Sequence, residues 1–382
     1  MKILVTSIVD LKKSPPNRPH HFIRYLSKKH DITVVSINDW WRAKQLDGGI
    51  YHQQFEEVFD RIEYHYLTEK KISPIMQEVL CRFLFNPDVL DGDYDVLFNY
   101  NTLIFGRWIA KKKKIPMVYD IADDLPEMIA NSPQIPRIFR GVGKRYGEHN
   151  LKKNVKSAKT ITATTPLFQK KYSLPEEKFV WIPNGVDTEI FKRREPDEEL
   201  KEKLGLEDCF VLGYVGVLRE WVDLEPVYKA LQKLEGVKLV VVGEEGRIKE
   251  NKEMVKNMGI EDKVIFVGTV PYVEVPRYIS IFHAGLIPFK KNEITENAVP
   301  LKLFEYLYMG KPVISTKLRG VVENLNFRNV FFYESIKEFV NKTRMLAEES
   351  RKVNEPTIKD FTWKSLTEDV EVEIQLLNIR GS

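Results

Sequence analysis

At 382 residues the chain is long enough for two domains, each with its own hydrophobic core, which excludes a mini-protein or a disulfide scaffold. Hydrophobic residues make up 43% and charged residues 30%, the composition of a soluble globular protein without long disorder. A net charge of +4 is too slight an excess for a protein that coats nucleic acid, so any basic function has to be local.

Cys81 and Cys209 fall in different halves of the chain and neither belongs to a C-x-x-C pair. Neither a zinc cluster nor a disulfide framework is indicated, and a reducing, cytoplasmic setting is expected. The longest stretch without Asp, Glu, Lys or Arg, 278–289, is short of the roughly 20 apolar residues of a membrane span. The opening MKILVTSIVDLKK is apolar over too few residues for a signal peptide and reads as a first strand.

In chain order, short β-branched runs alternate with longer amphipathic segments, the pattern of parallel sheets joined by crossover helices. Strands are expected at 2–8, 32–37, 62–67, 96–100, 116–119, 160–164 and 179–182 in the first half. In the second half they are expected at 210–215, 237–242, 264–267, 284–287, 312–315 and 330–332. The turn sequence IPNGVD and the charged stretch KRREPDEELKEKLGLED separate the two runs. The resulting α/β organisation is two doubly wound domains, 1–190 and 191–360. No repeat period or low-complexity segment interrupts it.

A dinucleotide-binding domain needs G-x-G-x-x-G directly after its first strand, but the segment there is DLKKSPPNRPHH, without glycine. Gly141, Gly143 and Gly147 lie in a basic stretch that follows no strand, which argues against a cofactor loop. The second domain differs. Its first strand ends in GYVGVLREW, so Gly216 brings bare backbone next to Arg219, a combination suited to phosphate oxygens. Further on, ENAVPLKLFEYLYMGKPVIST opens a helix at Pro300. The amides of Leu301, Lys302 and Leu303 are expected to be free there, with Lys302 beside them and Glu305 on the same face. An anion on the amides and Lys302, with a diol on Glu305, describes the diphosphate and ribose of a nucleotide. The competing reading is an exposed amphipathic helix with a Lys302–Glu305 ion pair.

Two features of the first domain carry charge. YDIADDLPEM places Asp120, Asp123, Asp124 and Glu127 just past a strand's C-terminal end, the edge that faces the ligand crevice in open α/β sheets. Asp124 and Glu127 fit a helix capping box, which leaves Asp120 and Asp123 as candidates for handling a proton, since crowded carboxylates raise one another's pKa. The stretch 134–159 holds eight Lys or Arg against one Glu. Ile135, Ile138, Phe139, Val142 and Tyr146 recur in it at near-helical spacing. Either this helix packs on its sheet with a basic outer side, or it contacts anionic membrane, with the lysines at 111–114 adding to the attraction.

Taken together, NRPHHFIRYLSKKHDITVVS, IPNGVDTEIF, GYVGVLREWVDLE, VKLVVVGEEG, VIFVGTVPYVEVPRYISIFHAGLIPF and PLKLFEYLYMGKPVIST resemble the GT-B glycosyltransferases, most closely family 4, over nearly the whole chain. The resemblance implies two Rossmann-like domains facing across a cleft, with an acceptor side in the first and a nucleotide-sugar side in the second. It implies a C-terminal helix, 361–377, crossing back to the first domain, and no metal or cofactor. It further implies transfer of a sugar from a nucleotide-sugar to a glycan or lipid-linked acceptor, with retention at the anomeric carbon and Arg219 and Lys302 at the departing diphosphate. A carboxylate base, Asp120 or Asp123, would suit inversion instead. The sequence departs from the family at two points. The family's paired glutamates fall on Asn297 and Glu305, with Glu296 one residue off register, and no lysine follows Arg219 at the customary spacing, so Lys302 stands as its substitute.

Two other classes share parts of this pattern. A nicotinamide-dependent oxidoreductase would use the same fold, and the missing glycine loop speaks against it. A nucleic-acid-binding module would use the basic stretches, and no module motif is present, so no nucleic-acid partner is expected. The protein is expected in the cytoplasm, with a peripheral site on the inner face of the cell membrane if the basic helix binds lipid.

Overall fold

A computed structural model describes residues 1–40, 55–132, 135–243, 246–349 and 356–381. Gln134 at the start of the basic stretch and both glutamates of VKLVVVGEEG lie outside the described residues. The chain divides into two compact units, Met1–Pro183 with Trp363–Ser382, and Asn184–Thr362. The sequence pattern sets the division at 190/191; in the structure it falls at 183/184, inside IPNGVD, ahead of the charged stretch.

Unit 1 carries β1 (Lys2–Ser7), β2 (Asp31–Ser36), β3 (Glu63–Tyr66), β4 (Val96–Tyr100), β5 (Met117–Ile121), β6 (Thr160–Ala163) and β7 (Phe179–Trp181) in the order β3-β2-β1-β4-β5-β6-β7. Unit 2 carries β8 (Phe210–Val215), β9 (Val237–Val242), β10 (Val264–Gly268), β11 (Ala284–Ile287), β12 (Val313–Thr316) and β13 (Val330–Tyr333) in the order β10-β9-β8-β11-β12-β13. Every pairing between these strands is parallel. Each strand expected from the sequence is present within two residues of its expected ends. The reason is burial: parallel strands are covered on both faces and read as near-continuous apolar runs, as in Ile3, Leu4 and Val5 of β1 or Val240, Val241 and Val242 of β9, all buried.

In each sheet the first strand lies centrally, with the next strands added on one side and the later ones on the other: β1 between β2 and β4, and β8 between β9 and β11. The connections leave these strands in opposite directions, which opens a crevice at their C-terminal ends. In unit 1 the loop after β1 leads to the helix Arg18–Leu26. Where a dinucleotide fold would have glycines, this chain has Arg18, whose guanidinium is held by Asp120 from the end of β5 (Nε to Oδ2 and Nη2 to Oδ1, both 2.9 Å).

Gly143 and Gly147 lie inside the helix Arg137–Ser157. A Cβ on Gly143 would stand 2.9 Å from Ile129 Cγ2, and one on Gly147 3.1 Å from Pro126 Cα. These glycines let that helix close on the Leu125–Asn131 helix, a packing role that accounts for them without a cofactor. The same helix departs from expectation in its apolar face. Its buried residues are Gly147, Asn150, Leu151 and Asn154, whereas Ile138, Phe139, Val142 and Tyr146 are exposed.

The chain ends in the helix Trp363–Gly381, which packs in unit 1 against Arg18–Leu26. Trp363 is buried, stacked on His21 with ring centroids 4.9 Å apart and edge-on to Phe22 at 5.5 Å. Glu371 accepts from Lys29 (2.7 Å) and His30 (3.0 Å). Truncating a buried Trp removes its transfer free energy and leaves a cavity, so Trp363→Ala is expected to destabilise unit 1 by about 3–5 kcal/mol. In urea unfolding followed by circular dichroism, an unchanged midpoint for unit 1 would show that this helix is not part of its cooperative core.

Candidate functional site

The unit-2 crevice begins where β8 runs into GYVGVLREW. Gly216 has φ of +125°, a conformation that favours glycine. Its N–H does not wait for phosphate, as the sequence suggests, because it donates to the Val242 carbonyl at 2.9 Å. Glycine's contribution here is space. A Cβ at this position would stand 3.0 Å from Lys302 Nζ, so the ammonium of a residue far along the chain comes to rest on bare backbone.

Lys302 reaches that point from the helix Leu301–Tyr308, which follows β11 across the switch point. Pro300 is its N-cap and supplies no side-chain cap. The Leu303 amide, expected to be free, donates to the Pro300 carbonyl at 3.1 Å. The amides of Leu301 and Lys302 precede the first intrahelical bond. Lys302 Nζ stands 4.0 Å from the centroid of the Tyr214 ring and 5.7 Å from that of Phe289, a cation–π seat of the kind that strengthens when water is excluded. Glu305 is not its ion-pair partner. That carboxylate is buried and accepts from the Tyr272 hydroxyl at 2.9 Å, so the exposed-helix reading does not describe this segment.

Burial dominates the electrostatics of this helix. It pushes Glu305 up to about 7, with Asp187 adding to the rise while Tyr272 and Lys302 oppose it. Lys302 is driven down to about 7 by burial, against the pull of Glu305. An anion brought to the helix start would restore the charged form of Lys302. Arg219 is half-buried on the neighbouring loop, and its charge is felt by the Tyr214 phenol, so both candidate cations gather around one tyrosine. Tyr214, Tyr272 and Asp187 escaped sequence reasoning. Tyr272 and Asp187 lie far from Glu305 in the chain, and no local pattern links them to it.

The topologically matching helix of unit 1, Phe105–Lys113 after β4, handles its N-terminus differently. The buried carboxylate of Glu78 accepts from the amides of Leu103 (2.8 Å), Ile104 (2.9 Å) and Phe105 (3.1 Å). An internal anion fills that helix start. Among the described residues, no carboxylate accepts from the first amides of the Leu301–Tyr308 helix, which presents Lys302 instead.

Glu296 and Asn297 flank the same crevice segment on a short helical turn, Glu293–Glu296. Glu296 Oε2 accepts from the Arg319 amide (3.3 Å), and buried Asn297 donates Nδ2 to the Glu293 carbonyl (3.0 Å).

In unit 1 the four acidic residues separate by environment. Asp120 is fully buried and saturated: Arg18 takes both oxygens, and Thr162 Oγ1 donates to Oδ1 at 2.6 Å. Burial and the pairing with Arg18 hold Asp120 in a structural role. Asp124 caps its helix by accepting from the Glu127 amide (3.3 Å), and it also binds Lys171 (2.7 Å). Glu127 pairs with Lys144 and Lys171 rather than reaching back to the cap. Asp123 alone is exposed. The protein crowded around its carboxyl, with the charges of Asp124 and Asp120, pushes it up to about 6. Asn101, missed in the sequence, supports the loop: it adopts φ of +53° and donates Nδ2 to the Asp123 carbonyl (3.3 Å).

The Glu305 shift has a definite sign for stability. A carboxyl whose folded pKa lies near 7 and whose unfolded value lies near 4.5 costs nothing below the lower value, and its full penalty is present above the upper one. Parent stability is therefore expected to fall as pH rises from about 4.5 to about 7. Glu305→Gln should remove that fall, gaining on the parent by on the order of 2 kcal/mol across the window. Parallel pH profiles of the urea midpoint for parent and variant would refute it.

The comparisons with known proteins bear on the same residues. The model of the family "Glycosyl transferases group 1" matches residues 196–356. Among curated proteins, the chain is 27% identical over 210 residues to "Putative teichuronic acid biosynthesis glycosyltransferase TuaH" of Bacillus subtilis (strain 168), covering 53% of this chain and 50% of that protein. It is 26% identical over 230 residues to the alpha-monoglucosyldiacylglycerol synthase of Streptococcus pneumoniae (strain ATCC BAA-255 / R6), covering 56% and 48%. The chain thus spans about half the length of the curated relatives it matches. Among solved structures, Anabaena HepE in complex with UDP-glucose superposes with a TM-score of 0.67 at 19% identity, covering 100% of this chain and 98% of that one, a likeness of fold that agrees with two parallel α/β sheets of the GT-B kind. Gly216, Arg219, Glu296, Asn297, Lys302 and Glu305 all fall inside the span that is similar to the glycosyl transferases group 1 family.

Proposed function

We propose that the protein is a glycosyltransferase that moves a sugar from a nucleotide-sugar to a hydroxyl of a glycan or lipid-linked acceptor. One observation carries this reading: a helix start with open amides and no internal anion, with Lys302 packed on bare backbone at Gly216 and Glu305 one turn further on. In this reading the diphosphate lies on the amides of Leu301 and Lys302, between Lys302 and Arg219. The ribose meets Glu305, and the turn at Glu296 and Asn297 faces the sugar. The UDP-glucose named for HepE supports a uridine nucleotide as the donor to try first.

Transfer breaks the bond between the anomeric carbon and a phosphate oxygen and forms one to the acceptor oxygen, while negative charge builds on the departing diphosphate. Lys302, Arg219 and the helix amides meet that charge, so the reading calls for no metal or cofactor. In a retaining, family-4-like reaction the departing phosphate takes the acceptor proton. In an inverting one Asp123 would take it, being the carboxylate of its cluster that is open and poised near 6.

A thermal-shift panel of UDP-, GDP-, ADP-, dTDP- and CMP-sugars tests the donor, because a ligand that binds only the folded state raises its stability. Replacing Lys302 or Arg219 by Ala is expected to lower turnover about 100-fold or more, and Glu305→Gln to weaken donor binding by roughly 1.5–3 kcal/mol. Full turnover and unchanged donor affinity in correctly folded variants would remove the diphosphate assignment. The acceptor side has a separate test. If Asp123 is the base, the rate climbs as pH passes about 6 and Asp123→Asn abolishes that limb; a variant with the parent's rate and pH profile leaves the retaining route.

The outer face of the Arg137–Ser157 helix favours a membrane-side acceptor. Ile138 is 81% exposed and Val142 65%, and among the described residues no helix is long and apolar enough to cross a bilayer. The S. pneumoniae relative is named for a glycolipid product. Sedimentation with phosphatidylglycerol vesicles at low salt, release at high salt, and weaker sedimentation of an Ile138→Ser, Val142→Ser variant are expected. A parent that stays in the supernatant at every salt concentration would favour a soluble acceptor.

A further inference from the structure

At the N-terminal edge of the unit-1 sheet, by Met117 at the start of β5 and Ser157 at the end of its helix, a surface cavity of about 580 Å³ opens. It lies at the opposite end of β5 from Asp120 and Asp123. Arg82, Arg107, Lys111, Lys114, Lys153 and Lys156 line it, and no Asp or Glu does. These cations come from three separate helices, Pro74–Leu84, Phe105–Lys113 with its C-cap Lys114, and Arg137–Ser157.

Cations in last turns do offset the negative ends of helices, which explains one such residue per helix. It does not explain why three helices deliver theirs to a single hollow, where like charges repel. Arg107 is fixed there by neutral groups only, donating to the Asn150 carbonyl (3.0 Å), Asn150 Oδ1 (3.1 Å) and Asn154 Oδ1 (3.1 Å). The carboxylate that acts on it, Glu78, is turned onto the amides of Leu103, Ile104 and Phe105. Among the described residues, Arg82, Lys111, Lys114, Lys153 and Lys156 form no ion pair. The cavity is of ligand size, and Trp108 adds an apolar wall.

We propose that this cavity is a binding site for a phosphate group, separate from both candidate sites at the C-terminal sheet edges. Several fork and point donors without a competing carboxylate suit phosphate oxygens carrying more than one negative charge. The phosphate is either a lipid headgroup at a bilayer or part of a soluble molecule. The proposal does not rest on sugar transfer, and its test needs no activity.

The full chain carrying Lys302→Ala, which subdues the unit-2 crevice, is titrated with inorganic pyrophosphate in a calorimeter. It is also sedimented with vesicles of phosphatidylglycerol in phosphatidylcholine. Lys111→Glu with Lys153→Glu is expected to weaken binding about tenfold or more, and Lys111→Gln with Lys153→Gln to weaken it less. Lys249→Glu with Lys252→Glu, the same charge change on an exposed unit-2 helix, should leave it unchanged. Loss with pyrophosphate identifies a soluble phosphate, and loss with vesicles alone a headgroup. Equal loss from the unit-2 pair, or no loss and no binding in either arm with folded protein, overturns the site.

Discussion

A β-carbon on Gly216 would stand 3.0 Å from the ammonium of Lys302, so the contact between cation and bare backbone exists only because position 216 carries no side chain. Much of the unit-2 crevice follows from that constraint. With Nζ seated there, it also stands 4.0 Å from the centroid of the Tyr214 ring. Glu305, one turn on, is turned inward to Tyr272. A side chain at 216 would require Lys302 Nζ to give way by a few tenths of an ångström and would strain the backbone at a φ of +125°.

The two units use one topology with opposite electrostatic outcomes. In unit 1 the helix start after β4 is filled by Glu78, and Arg18 and Asp120 neutralise each other in a buried bidentate pair. Such a pair brings little net stability over apolar packing, yet loss of either partner would strand a buried charge. Its consequence for chemistry is to remove Asp120 from reaction and leave Asp123 as the open carboxylate of the cluster. In unit 2, among the described residues, no internal anion fills the corresponding helix start, and its lysine is desolvated rather than paired. The asymmetry is the ground for placing the proposed diphosphate at the unit-2 edge and not at that of unit 1.

The basic helix shows how periodicity can identify a helix and misplace its faces. At 3.6 residues per turn, Ile138, Val142, Tyr146, Lys153 and Lys156 fall on one outward side. Along that stripe the apolar residues come first and Lys153 and Lys156 last, with exposed Arg137 and Arg145 near the apolar part. The inward side is built from Gly147, Asn150, Leu151 and Asn154, residues that a hydrophobicity pattern does not mark. Small and amide side chains suffice because the helix approaches closely at Gly147 and binds Arg107 through Asn150 and Asn154.

By itself the sequence determined the strands, their alternation with helices, the absence of a glycine loop after β1 and the cap at Asp124. These depend on neighbours within a few positions, where β-branching, amide geometry and side-chain spacing act directly. It also singled out Gly216, Lys302 and Glu305, because glycine at a strand end and proline at a helix start leave local marks. Only the tertiary structure decided that Gly216 contributes space while its N–H serves Val242, that Leu303 closes on Pro300, and that Arg18 saturates Asp120 from 102 residues away. Each of those outcomes turns on which distant group supplies a charge, a hydrogen-bond partner or a steric limit. Such a choice is made when the sheets assemble and the C-terminal edges bring remote loops together, and it has no counterpart in local sequence pattern.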